Sequence, residues 1–197
     1  MKPDASIRLL GLPRGPIRWA AAALYLMASL AVAHLLAAEK ARKDQMQLTS
    51  TAFAEGGAIP AKHTCDAKNV SPPLKWSGVP TGTKSLVLIV DDPDAPVGTW
   101  VHWVLYDLPA TTGELVEDVP KSQYVTGGAK QGLNDFRHLG YGGPCPPPGK
   151  AHRYFFKLYA LDTLLDLKPG LTKRDIEAAM AKHILAQGQL MGTYQRK

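Results

Sequence analysis

The chain has 197 residues, 45% of them hydrophobic, which is enough for one packed domain of ordinary composition. It carries 23 Lys and Arg residues and 17 Asp and Glu residues, for a formal net charge of +6. Residues 1–38 hold four of the basic residues and one acidic residue, so the other 19 basic and 16 acidic residues leave a net charge of only +3. A charge this small does not favour nucleic acid or an acidic membrane surface as the partner.

The amino-terminal segment has the layout of an export signal. Basic residues precede a run from Trp19 to Ala38 that is almost free of charge. Ala31-Val32-Ala33 and Leu36-Ala37-Ala38 offer two cleavage sites. The run is also about as long as a membrane-spanning helix, so an uncleaved anchor over residues 19–38 is the alternative. In both cases the basic flank predicts export, to the periplasm or the exterior. We therefore predict a signal peptide or membrane anchor over residues 1–38, a linker over 39–45 and a domain over 46–197.

Short strands joined by turns are predicted for most of that domain. The 16 Pro and 18 Gly residues lie mostly between apolar runs. Strand-like runs occupy residues 46–53, 85–90, 100–108 and 153–161. The second run is continuously apolar, which is typical of a strand buried on both faces. In the last run, alternation places one set of side chains on a common face, namely Tyr154, Phe156, Leu158 and Ala160.

One helix is predicted near the end of the chain. Thr172 and Asp175 have the spacing of a capping box. Apolar side chains then recur at helical spacing, at Ile176, Ala179, Met180 and Ile184. Gly188 is predicted to end this helix, and residues 189–194 to return as a strand. Many strands with one late helix predict a β-sandwich.

Polar residues cluster where the predicted strands begin or end. Asp92 follows a buried strand, where an unpaired carboxylate is costly, so a His from a neighbouring strand is its expected partner. Asp94 lies between two prolines and is expected to cap local backbone N–H groups. His102 lies in an apolar strand, and His152 begins another with Tyr154 on the same face. One such His is usually a core residue, but the set together predicts a polar pocket.

Three functions of this pocket are open. A zinc or non-haem iron site is possible in principle, but no H-x-H or H-E-x-x-H spacing supports it. Acid–base catalysis by the two carboxylates is also possible, although there is no G-x-S-x-G and no evident nucleophile. The third is binding of a small anion by imidazole, phenol and loop N–H donors. This third function uses all the residues, so we predict no metal and no catalytic residue.

The two cysteines, Cys65 and Cys145, lie in Pro-rich loops. In an exported protein they can form one disulfide, which would join two loops of the pocket. Two unpaired, partly buried thiols are the alternative.

The ordered motifs D-P-D-A-P, W-V-H-W and G-G-P-C-P-P-P-G-K-A-H-R-Y closely resemble the phosphatidylethanolamine-binding protein (PEBP) family. The segment C-D-A-K-N-V-S-P-P-L-K-W-S-G-V-P is similar to its bacterial branch, often called Raf-kinase-inhibitor-like. The likeness covers about residue 46 to the carboxyl terminus. It implies a mainly β fold, a sandwich of two antiparallel sheets with a carboxyl-terminal helix.

The resemblance also implies a non-catalytic pocket, without a cofactor, for phosphate, carboxylate or phosphoethanolamine-type head groups. The ligand-binding positions that it carries over are Asp92, His102, Pro147, His152 and Tyr154, and those that shape the motifs are Asp94, Pro96 and Gly143. Family members have been linked to protease inhibition and kinase regulation, so action on a protein partner through surface loops is the alternative. No helix is evident beyond Tyr194 to cover the pocket, which leaves room for a homodimer.

Overall fold

The computed structural model describes residues 46–197, so the predicted signal peptide or anchor and the linker lie outside the described residues. Two antiparallel sheets form the domain. The small sheet has the strand order β1-β2-β5, and the large sheet has the order β6-β4-β3-β7-β8. The strands are β1 (Gln47–Thr49), β2 (Leu74–Ser77), β3 (Ser85–Asp92), β4 (Trp100–Pro109), β5 (Glu114–Leu115), β6 (Lys130–Gln131), β7 (His152–Leu161) and β8 (Ile184–Tyr194).

The fold has three layers, because both faces of the large sheet are covered. Leu86, Leu88 and Val90 of β3 point into the main core between the two sheets. Val87 and Ile89 point the other way, into a smaller core beneath the helix α1 (Lys173–Met180). This double burial explains why the β3 sequence is continuously apolar. The mainly β sandwich predicted from the sequence is confirmed.

The helix begins as predicted and ends earlier. The Thr172 side chain accepts a hydrogen bond from the Asp175 backbone N–H, and the Asp175 carboxylate accepts one from the Thr172 N–H. The predicted end at Gly188 is wrong, because the helix stops at Met180 and β8 begins at Ile184. Residues Ile184 to Tyr194 of β8 pair with β7. The hydrogen bonds and side-chain packing of this pairing favour a strand at Ile184, although its spacing from Met180 is helical.

None of the helices within residues 46–197 combines the length and hydropathy that a membrane span requires.

Candidate functional site

The ends of three neighbouring strands meet at one end of the large sheet. β3 runs antiparallel to both β4 and β7, with Asp92 opposite Trp100 and Asp91 opposite Phe155. The end of β3 therefore lies beside the beginnings of β4 and β7. This topology brings Asp92, His102 and His152 together from positions as much as 60 residues apart.

A buried carboxylate–imidazole pair lies at this end of the sheet. Asp92 is 3% exposed and His152 is 8% exposed. The His152 Nδ1–H donates to Asp92 Oδ2 over 2.8 Å, and the Asp94 N–H donates to Asp92 Oδ1 over 2.8 Å. Because a carboxylate only accepts, the Nδ1 of His152 carries a proton. Asp92 thus fixes the orientation of the imidazole and the position of one of its protons.

His102 is oriented by the backbone. Its Nδ1–H donates to the Gly142 carbonyl oxygen over 2.6 Å, which leaves Nε2 without a proton in the neutral ring. Burial lowers the pKa of His102, and the Gly142 carbonyl and the Asp92 charge offset this only in part. The neutral ring can accept a hydrogen bond at Nε2 from a ligand O–H or N–H group.

Tyr154 lies behind His102. The two rings pack edge to face, with their centroids 5.1 Å apart. The Tyr154 hydroxyl is buried and has no hydrogen-bond partner among residues 46–197. Burial raises its pKa, and the negative charge of Asp92 raises the pKa further. Tyr154 is not among the residues that line the cavity described next, so its direct contact with a ligand stays a prediction.

A cavity of about 200 Å³ opens at the three strand ends, and we call it the strand-end cavity. Asp92, His102 and His152 form its polar wall. Both Pro146 and Pro147 line it; Pro146 is buried and Pro147 exposed. Cys145, a candidate from the sequence for a disulfide between two loops of the pocket, also lines it. Sequence reasoning missed the other lining residues, which are apolar or aromatic: Ala95, Val97, Trp100 and Phe136. The cavity therefore combines a few polar groups with an apolar wall, as small-molecule sites usually do.

The residues of the D-P-D-A-P motif have two different roles, since some line the cavity and others hold its loop in place. Pro96 lines the cavity, but Asp94 does not. The Asp94 carboxylate accepts hydrogen bonds from the Arg153 guanidinium, at 2.8 and 2.9 Å, and from the Arg153 backbone N–H. These hydrogen bonds lower the pKa of Asp94 to about 2. Asp94 thus ties the loop after β3 to the beginning of β7, a longer-range contact than the local capping predicted for it.

The second motif is held against the loop that contains Cys65. The structure joins Cys65 to Cys145 by a disulfide, with the Cα atoms 5.4 Å apart. The Gly143 N–H donates to Asn69 Oδ1 over 2.6 Å. A Cβ at Gly143 would lie 2.3 Å from the His63 carbonyl oxygen, so only glycine fits there. Gly143 therefore supports the neighbouring Gly142 carbonyl that orients His102.

Within residues 46–197, no group of three or more His, Cys, Asp or Glu side chains is arranged to hold a metal ion.

Comparisons with known proteins identify the family to which this domain belongs. The family model for phosphatidylethanolamine-binding protein matches residues 49–195. The chain belongs to the phosphatidylethanolamine-binding protein family. A UPF0098 protein of Methanothermobacter thermautotrophicus is 52% identical over 151 residues, covering 77% of this chain and 99% of the relative. A UPF0098 protein of Aquifex aeolicus is 54% identical over 153 residues, covering 77% and 89%.

Solved structures of PEBP relatives have the same fold. A PEBP homolog from Chlamydia trachomatis has a TM-score of 0.72 and 45% identity, covering 78% of this chain and 99% of that one. E. coli YbcL, described as a new member of the mammalian PEBP family, has a TM-score of 0.73 and 36% identity over the same shares of the two chains. The residues that form the strand-end cavity lie within the range 49–195 that matches the family model.

Proposed function

We propose that this protein is an exported, non-catalytic binding protein whose strand-end cavity holds the anionic group of a small phospho-compound, a phospholipid head group or a carboxylate. The Asp92–His152 pair carries the proposal, because Asp92 fixes the Nδ1–H of His152, and a bound anion would favour the imidazolium form, which donates at Nε2. A charge-assisted hydrogen bond from such a donor to a phosphate or carboxylate oxygen is strong for its size.

The remaining groups favour a ligand that both donates and accepts. The Nε2 of neutral His102 accepts, and Asp92 adds a negative charge beside the donor of His152. A zwitterion such as phosphoethanolamine supplies phosphate oxygens for the donor and an ammonium group for the acceptors. The Trp100 indole N–H and the Tyr154 hydroxyl are buried without partners among residues 46–197. A ligand oxygen that reached either one would offset a cost of about 1–3 kcal/mol.

The experiment is a calorimetric titration of phosphoethanolamine into the wild type and into His152→Ala. We expect the variant to bind at least about tenfold more weakly, since it loses the charged donor. His183→Ala is the matched control, because His183 forms a similar 2.8 Å pair with Asp162 on an exposed surface away from the cavity. Equal affinity of wild type and His152→Ala would overturn the proposal. A protein that inhibits a protease or modulates a signalling partner through surface loops would bind that partner equally well in both.

Export is proposed from the basic and apolar amino-terminal segment, and the disulfide supports it. Disulfides persist in oxidising compartments such as the periplasm and are rare in the cytosol. The intact mass of the protein purified from its native host tests this directly. We expect loss of the residues before His34 or Glu39. A full-length chain found in the membrane fraction would instead identify residues 19–38 as an anchor, and a full-length soluble chain would contradict export.

A further inference from the structure

A second cavity of about 320 Å³ lies beside the strand-end cavity, and we call it the side cavity. Phe136 and Cys145 line both cavities, so these two residues form a common wall. The Phe136 ring packs edge-on against Trp100 and His102, each with a centroid distance of 5.4 Å. The side cavity shares none of Asp92, His102 and His152, so a ligand in it would meet different chemistry.

The side cavity offers hydrogen-bond donors on two neighbouring side chains, Lys121 and Asn69. Lys121 is the one formally charged side chain in its lining, and no carboxylate lines it. The Lys121 ammonium donates to the Asn69 carbonyl oxygen over 3.3 Å, a long contact that leaves its other N–H groups available. The Asn69 Oδ1 accepts from the Gly143 N–H, which fixes the orientation of the amide. No acceptor for the Asn69 Nδ2 group is found among residues 46–197, so both side chains can donate to an anion.

Asn134 and His138 also line the side cavity, and the Asn134 amide is already paired, with the Gly140 carbonyl oxygen and the His138 backbone N–H. Two aromatic residues complete the wall. The Tyr141 hydroxyl donates to the His63 carbonyl oxygen over 2.8 Å, so the Tyr141 side chain offers the cavity its ring rather than its hydroxyl. Phe136 offers a second ring. Aromatic walls favour planar or apolar groups, which they can contact in offset or edge-to-face packing.

We propose that the side cavity is a second ligand site, for a small anion with an apolar body. Its carboxylate or phosphate group would lie at Lys121 and Asn69, and its body would pack against Phe136 and Tyr141. This proposal does not depend on what the strand-end cavity binds, because no polar group is common to the two.

The experiment uses benzoate as the probe and records amide chemical shifts of the protein, as purified from its native host, by ¹⁵N–¹H NMR. We expect saturable shifts at the Gly143 backbone N–H and the Asn69 side-chain amide, and the same dissociation constant in His152→Ala. Lys121→Glu should weaken binding at least about tenfold, since it replaces a cationic donor by a carboxylate that repels the carboxylate of benzoate. Lys84→Glu is the matched control, with the same charge reversal on an exposed residue outside both cavities.

A second variant tests whether weaker binding comes from the loss of a donor or from a change in the loop that contains Gly143. Asn69→Asp keeps the oxygen that accepts from Gly143 and replaces the amide donor by a negative charge, so it should also weaken benzoate binding about tenfold. Three results would overturn the proposal: no saturable shift in the wild type, shifts confined to the lining of the strand-end cavity, or equal affinity in Lys121→Glu and Lys84→Glu.

Discussion

The Asp92→Asn substitution tests the Asp92–His152 pair without changing the size of the side chain. In the wild type one carboxylate oxygen accepts from His152 Nδ1–H and the other from the Asp94 N–H, each over 2.8 Å. An amide has only one oxygen. If that oxygen keeps the Asp94 N–H, the amide N–H₂ group faces His152 Nδ1, which must then accept rather than donate. A ring that accepts at Nδ1 carries one proton, at Nε2, and cannot become the imidazolium that a bound anion favours.

The expected effect on binding follows from this loss of charge. Hydrogen bonds to charged groups contribute about 1.5–3 kcal/mol, compared with about 1 kcal/mol for neutral ones. Replacing the imidazolium donor by a neutral one should therefore weaken phosphoethanolamine binding by about one order of magnitude. Removing the carboxylate of a buried pair also destabilises the fold. Each titration is therefore run at a temperature where circular dichroism shows the variant to be folded.

Asp94→Asn is the matched control for this experiment. Asp94 lies two residues away in the same loop and also pairs with a cation, but it does not line the cavity. Calorimetric affinity for phosphoethanolamine should stay within about twofold of the wild type, a change too small to represent a lost charged hydrogen bond. The reasoning is refuted if Asp92→Asn binds like the wild type, or if Asp94→Asn is impaired to the same extent.

Three further predictions concern stability. Replacing Cys65 and Cys145 together by Ser should lower the free energy of unfolding by about 2–4 kcal/mol in urea titrations, because their separation of 80 residues makes the loop long; an unchanged midpoint would contradict the disulfide. Asp94→Asn should lower the Tm at pH 7 by no more than about 3 °C, since the ion pair is partly exposed. The folded pKa of about 2 lies below the ordinary 3.8, so this contribution is present above pH 4 and disappears as the pH falls toward 2; a Tm difference that grew in acid would have the wrong sign. Thr172→Ala should cost about 1 kcal/mol in urea unfolding by removing the helix cap, whereas no change would mean that the cap is not formed.

Much of the fold can be predicted from the sequence, because the patterns that indicate each strand lie within the strand itself. The apolar run of β3 predicts a strand buried on both faces, and the alternation in β7 predicts which side chains reach the main core. The end of the helix is different. Ile184 continues the helical spacing of Ile176 and Met180, yet it pairs with Leu161 in the large sheet. That pairing is decided by a partner strand more than twenty residues away, which a helical window does not contain.

The part of the site that could be predicted from the sequence is the pairing of its buried carboxylate. A carboxylate at the end of a buried strand needs a counter-charge, and this requirement alone pointed from Asp92 to a His of another strand. Phe136 was missed because it lies in a loop without periodicity, and nothing near it in the sequence indicates two cavities on either side of it. The unpartnered hydroxyl of Tyr154 was also missed, because sequence alternation gives the face of a side chain but not the depth of its polar end.

A crystal structure of the protein with saturating phosphoethanolamine tests the central claim most directly. The account predicts phosphate density in the strand-end cavity, with an oxygen within hydrogen-bond distance of His152 Nε2 and the Asp92–His152 pair intact. Phosphoethanolamine bound elsewhere, or an empty strand-end cavity at a concentration that calorimetry shows to be saturating, would contradict it.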